Sequence, residues 1–322
     1  MTEEDSKGLE VKDVAEAVGT CDVALPDDRI YYVDRLTGEL EREVVLGEGW
    51  LRFLYGGGLL GSLFLWVLRR RPMNILYGLI QRRTVGTRRV RRFAESLAID
   101  LGECQRPLSE YRTIDDFFTR SLKEGARPFV EDPVVLPSPA DARALVFPEL
   151  AAERLPVKGG GYTLAELICD PALAESYVGG SVCVLRLAPP DYHRFHFPDG
   201  GAAGSARAIP GLLDSVSPYA LRRLPDLFCR NQRELTVIET DGFGPMLFLE
   251  VGAMLVGTIC QTFSPGRVER GQEKGFFRFG GSTIVLAFER NRIRFSDDLL
   301  RCSERGIEIK LLCGTPLGTV GE

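Results

Sequence analysis

Histidine is almost missing from this chain of 322 residues: it has two, His193 and His196, so the side chain that titrates near neutrality is confined to one place. Cysteine occurs eight times but never as a C-x-x-C pair, and the chain opens Met1-Thr2-Glu3-Glu4-Asp5, with no secretory signal. The cysteines are therefore expected to be reduced thiols of a cytoplasmic protein, mostly filling the core. From Leu51 to Ala94 there is no Asp, Glu or Lys. No apolar run reaches the roughly twenty residues that a spanning helix requires. Glycine-rich phosphate loops between a strand and a helix, a cofactor-lysine signature and a GxSxG elbow are all lacking, as are repeats and low-complexity segments. A hydrophobic content of 44% with 26% charged residues excludes a disordered or fully membrane-embedded chain and gives ample material for a core.

What is present centres on Arg278-Phe279-Gly280-Gly281-Ser282-Thr283. Two adjacent glycines allow backbone conformations with φ > 0 and let another group approach the peptide bond before Ser282. The run that follows, Ile284 to Phe288, is short, β-branched and aromatic, as in a buried strand that would hold Ser282 at a fixed edge. Both histidines lie in Pro189-Pro190-Asp191-Tyr192-His193-Arg194-Phe195-His196-Phe197-Pro198. A spacing of i, i+3 puts the rings on one face of a helical turn but on opposite faces of a strand, and the flanking prolines and glycines predict a turn. Two histidines satisfied by backbone carbonyls is the competing reading. Metal binding is disfavoured, because no third ligand stands at a recognisable spacing.

The net charge of -5 hides ten arginines between Leu51 and Ala94, so that segment is cationic on an otherwise acidic chain. Inside it, Phe53 to Leu68 is apolar, contains four glycines and ends at Arg69-Arg70-Arg71. An interfacial helix in the headgroup layer, with Trp66 and the three arginines at the membrane, fits this pattern. A core helix with a solvated basic face and a nucleic-acid surface remain as alternatives; the apolar run beside the basic one favours lipid.

Residues 1–30 are polar and expected to be loosely ordered, with at most a short helix from Val11 to Val18. Thr113-Ile114-Asp115-Asp116 has the form of a capping box, opening a helix through Lys123 with Gly125 as its C-cap and Pro128 as a stop. Strands are predicted at 134–136, 182–187, 234–238, 246–251, 284–288 and 307–312, and helices near 164–168 and 220–224. The expected class is α+β: a polar N-terminus (1–30), a helical, Arg-rich membrane-associating region (31–104) and a β-rich catalytic domain (105–322).

The segments DYHRFH, EVGAMLVGTI, RGQEKGFFRFGGSTIVLAFE, DDFFTRSLKEGARP and LPSPADAR, in this chain's positions, resemble phosphatidylserine decarboxylase, a family of self-processing pyruvoyl enzymes. The resemblance runs from about Tyr31 to the C-terminus. It implies cleavage between Gly281 and Ser282, giving a β chain 1–281 and an α chain 282–322, with Ser282 converted to a covalent pyruvoyl cofactor that forms a Schiff base with the substrate amine. It further implies that Asp141 and His196 form a triad with Ser282 for that cleavage, whereas His193 serves decarboxylation. On this reading His196→Ala stops cleavage, and His193→Ala cleaves but turns over poorly. The implied partner is phosphatidylserine in an anionic bilayer, the implied place is peripheral on the cytoplasmic face of the cell membrane, and no nucleic acid is involved; homodimerisation is left open. Two positions depart from the family pattern. Ala142 stands where glycine normally follows SPAD, which is harmless if its φ is negative and damaging if positive, and Met254 replaces the usual threonine. A soluble-amino-acid decarboxylase of the same family, a serine peptidase and a lipid-surface scaffold that has lost processing are the rival readings.

Overall fold

The computed structural model describes residues 30–321 except 46, 57, 71–72, 74–75, 77–78, 81–82, 84, 151–154, 158–159, 225, 254–258 and 281. The expected helix at 11–18 and the positions Arg71, Met254 and Gly281 lie outside the described residues.

The architecture is α+β around one eleven-stranded sheet. At its centre Gly244–Gly252, Ser282–Phe288, Ser181–Leu187 and Ala142–Phe147 lie side by side, every pair antiparallel. All seven residues of Ser282–Phe288 are buried, and so are all seven of Ser181–Leu187. That is why these strands read as continuous apolar runs and not as alternating ones. Ile284, Leu286 and Phe288 join one core cluster, while Val285 and Ala287 point into a second cluster on the other face. The second face is covered by short helices at 164–168, 171–175, 218–223 and 227–230. Every strand expected from the sequence is found, within a few residues at the ends.

Tyr31–Asp34 and Leu40–Arg42 continue this sheet beyond Glu308–Leu311, the first of them in parallel pairing. A buried charge network ties them in: Arg186 donates to Glu308 at 3.0 Å and to Glu43 at 2.9 Å.

Four expectations need correction. Residues 31–42, expected within the helical N-terminal region, supply two strands, Tyr31–Asp34 and Leu40–Arg42, to the large sheet. The apolar run 53–68 is not one helix but parts of two, α1 (Glu48–Tyr55) and α2 (Leu59–Leu68), bent by 108° at the glycines. The helix opened by Thr113, whose side chain accepts from the Asp116 amide, ends at Phe118 and not Lys123. There the chain turns out to pair Leu122 with Cys104. Finally, Cys302 is disulfide-bonded, against the expectation of reduced thiols throughout; Cys104, Cys169, Cys183, Cys229, Cys260 and Cys313 are free, and Cys21 lies outside the described residues.

Candidate active site

Ser282 opens the central strand, paired with Leu187 on one side and Gly252 on the other, and is fully buried. Gly280, two residues earlier, has φ of 148°, a conformation that a side chain would resist. The Ser282 hydroxyl lies 3.3 Å from Nδ1 of His193, itself fully buried. Nε2 of the same ring lies 3.0 Å from the Ala188 carbonyl. A carbonyl only accepts, so the Nε2 proton is donated to it and the Nδ1 lone pair is left facing Ser282. Phe118 stacks on the imidazole, with centroids 3.9 Å apart and planes at 28°. Burial, reinforced by the Arg120 charge, drops the His193 pKa to about 3, so the ring is neutral.

The expected triad is not joined by hydrogen bonds in this structure. Nδ1 of His196 lies 3.0 Å from the Gly271 carbonyl, and Nε2 faces the Tyr192 hydroxyl at 3.4 Å. Asp141 receives Arg127 through two 2.8 Å bonds and the Cys313 amide at 2.8 Å, and Arg127 continues to Glu103 at 2.9 Å. The reason is local backbone. Arg194–His196 is a strand, not the turn expected, and it pairs with Glu273–Phe277. In extended chain, residues three apart point to opposite sides, so the two rings part, and the one that meets Ser282 is His193. His196 still adjoins the Asp141 turn: its amide donates to the Pro139 carbonyl at 2.9 Å. Burial lowers its pKa, opposed by the Gly271 hydrogen bond and the charges of Glu273 and Asp141.

Sequence reasoning missed three supports. Asp115, read only as part of a helix-opening segment, is buried and accepts from Arg278 at 2.6 Å and from the Phe279 amide at 3.2 Å. Arg120 donates to the Pro190 and Asp191 carbonyls at 2.9 and 3.2 Å, bracing the turn that carries His193. Arg143 pairs with Asp191, whose carboxylate also accepts the Ala188 amide at 2.6 Å. The DDFFTR motif contained the first two, but their partners lie too far along the chain for spacing to reveal.

A largely apolar cleft of about 120 Å³, lined by Leu51, Phe118, Ala188, Val216, Phe279 and Gly280 among others, reaches the residues that flank this site. Leu51 belongs to α1, and the outer surface of α1 and α2 is apolar: Trp50 is 63% exposed, Leu59 91% and Leu63 58%. Trp66 is also exposed, with the Arg70 guanidinium 4.6 Å over its ring, and Arg69 is half-buried at the end of α2. Among the described residues no single helix is long and apolar enough to cross a membrane.

Residues 114–317 match the family model described as phosphatidylserine decarboxylase. The chain is 42% identical over 293 residues to the phosphatidylserine decarboxylase proenzyme of Ruminiclostridium cellulolyticum, covering 90% of this chain and 97% of that protein. It is also 42% identical over 289 residues to the protein of the same name from Chlamydia pneumoniae, at 89% and 96% coverage. With that of Clostridium botulinum strain Kyoto it shares 37% over 292 residues, at 90% and 99% coverage.

Proposed function

The chain belongs to the phosphatidylserine decarboxylase family, and from that premise we propose that it is a proenzyme that cuts itself at Gly281-Ser282 and then converts phosphatidylserine to phosphatidylethanolamine. The observation that carries this reading is the buried Ser282 hydroxyl on the Nδ1 lone pair of His193, two residues after the positive-φ Gly280. The hydroxyl gives its proton toward the imidazole while Oγ attacks the Gly281 carbonyl, so the peptide bond is exchanged for an ester. Loss of the Ser282 α-proton breaks the Cβ–O bond, releasing a carboxylate on Gly281 and leaving dehydroalanine. Water then displaces ammonia, and residue 282 becomes a pyruvoyl group. The donor set fits: the serine that must be converted is present, sheltered from water and already touched by a neutral base. A pyruvoyl carbonyl supplies the electron sink for the carbanion left when CO₂ departs from an amino acid.

In turnover His193 stands where a proton must be returned to the substrate carbon, with Phe118 and the Ala188 carbonyl holding its plane and tautomer. The apolar cleft leads the lipid from the α1–α2 surface, which lies on the cytoplasmic face of an anionic membrane with Trp66, Arg69, Arg70 and Arg71 in the headgroup layer.

A second reading of the cleavage base keeps His196 with Asp141. It is supported by the bond from the His196 amide to the Pro139 carbonyl in the Asp141 turn. Intact mass spectrometry under denaturing conditions tests both readings. The wild-type chain is expected as two species, 1–281 and 282–322, the second lighter by one ammonia than a serine-initiated fragment. His193→Ala staying whole while His196→Ala is cut assigns the base to His193; the reverse pattern assigns it to His196. A wild-type protein of full-length mass overturns self-cleavage. Turnover of free serine with no need for lipid would replace the phospholipid with a soluble amino acid.

A further inference from the structure

The cut requires Oγ to reach a carbonyl carbon in its own backbone, so the segment upstream of the scissile bond must be held as firmly as the nucleophile. Ser282 is held by two strand neighbours, but Arg278 to Gly280 lie before the strand. A short helix helps to restrain them, beside the Phe93 ring that packs on Phe279 at 5.8 Å. Ile114–Phe118 starts at Thr113, and its second residue, Asp115, directs one carboxylate oxygen at the Arg278 guanidinium and the other at the Phe279 amide. Phe118, one turn later, stacks on His193 and meets the Phe279 ring edge-on at 5.0 Å. The same five residues thus touch both the segment entering the scissile bond and the imidazole that faces Ser282. Asp115 is 4% exposed, and its Arg278 bond is short and charge-assisted.

We propose that Asp115 is a positioning residue for self-cleavage, one that fixes Arg278 and Phe279 so that the positive-φ turn at Gly280 presents the following carbonyl to Ser282. This rests on the reading of Ser282 given above. The carboxylate acts on geometry alone, takes no proton, and is needed before the ester forms.

The test uses full-length chain made by cell-free synthesis, with cleavage followed by denaturing gel and intact mass. Asp115→Ala and Arg278→Ala are expected to slow cleavage by about tenfold to a hundredfold, as a misplaced attack geometry does. Asp115→Asn, which keeps an acceptor for the Phe279 amide, is expected to fall between them and the wild type. Asp116→Asn, which alters a partly exposed pair with Arg106 next door, is expected to cut normally. Hydroxylamine, which splits esters, should leave stalled Asp115→Ala whole. Scission by hydroxylamine would mean that the ester forms without Asp115 and would overturn the proposal, as would wild-type cleavage rates in folded Asp115→Ala and Arg278→Ala. If Asp115→Ala does not fold, Arg278→Ala decides, since that side chain is 30% exposed and leaves the helix cap untouched. A wild-type chain that never cuts would instead refute the self-cleavage reading itself.

Discussion

At rest His193 is neutral, because burial disfavours the imidazolium. Its pKa of about 3 against 6.5 in unfolded chain means that between those values the unfolded state binds a proton that the native state refuses. The stability associated with the neutral ring is therefore whole above pH 6.5 and is lost progressively as pH falls toward 3, at up to about 1.4 kcal/mol per pH unit. In His193→Gln that contribution should vanish, so denaturant midpoints of the variant should depend less steeply on pH across this window; equal slopes would mean that the ring is not desolvated as described. The residues in this site were legible to different depths. Ser282 stood out because two glycines precede it and a strand pattern follows, and the histidines because there are no others. Which ring meets Ser282 was not legible, since it depends on whether residues 194–196 form a turn or a strand. Pairing with Glu273–Phe277, far along the chain, decides that in favour of the strand. Asp115 was hidden for the same reason, its partners lying 163 and 164 positions away.

At the level of elements, the long central strands were readable because burial on both faces leaves an unbroken apolar run, whereas three-residue strands such as Gly201–Ala203 and Gly266–Val268 carry no pattern of their own. Ala142 belongs to a readable strand and answers a question that the sequence left open. It is fully buried in Ala142–Phe147, and its φ is negative, since the non-glycine residues described with positive φ are Ala98, Cys169 and Asn291. A Cβ at this position costs nothing in the backbone. Restoring glycine adds freedom to the unfolded chain and removes a buried methyl, so Ala142→Gly should lower stability by about 1 kcal/mol with self-cleavage unchanged. Thermal unfolding beside a cleavage time course checks this. Faster cutting in the glycine variant would show that Ala142 does strain the Asp141 turn.

Across the whole molecule, the chain divides its surface by charge and polarity. The apolar run expected to lie on a membrane instead breaks at glycines into α1 and α2, because a glycine cluster costs a helix interior far more than it costs a turn. The break does not bury the run. Leu59, Leu60, Leu63, Phe64 and Trp66 remain between 49% and 91% exposed, five large apolar side chains left open along one short helix with Arg69 and Arg70 at its end. A bilayer covers such a face by taking the side chains below the headgroups and leaving the guanidinium groups among the phosphates, each basic residue contributing about 1 kcal/mol on an anionic surface. Replacing Leu63 and Trp66 together with Asp removes two apolar anchors, each worth roughly 1.5–3 kcal/mol when buried, and adds two repelled charges. Flotation with vesicles of phosphatidylserine and phosphatidylcholine should then show binding weakened by at least about tenfold. Self-cleavage should be untouched, because neither residue approaches Ser282. Decarboxylation of vesicle lipid should fall with binding, while that of a detergent-dispersed short-chain phosphatidylserine should persist. Undiminished flotation of the double variant would refute the assignment of α2 to the membrane and leave its apolar face to another copy of the chain.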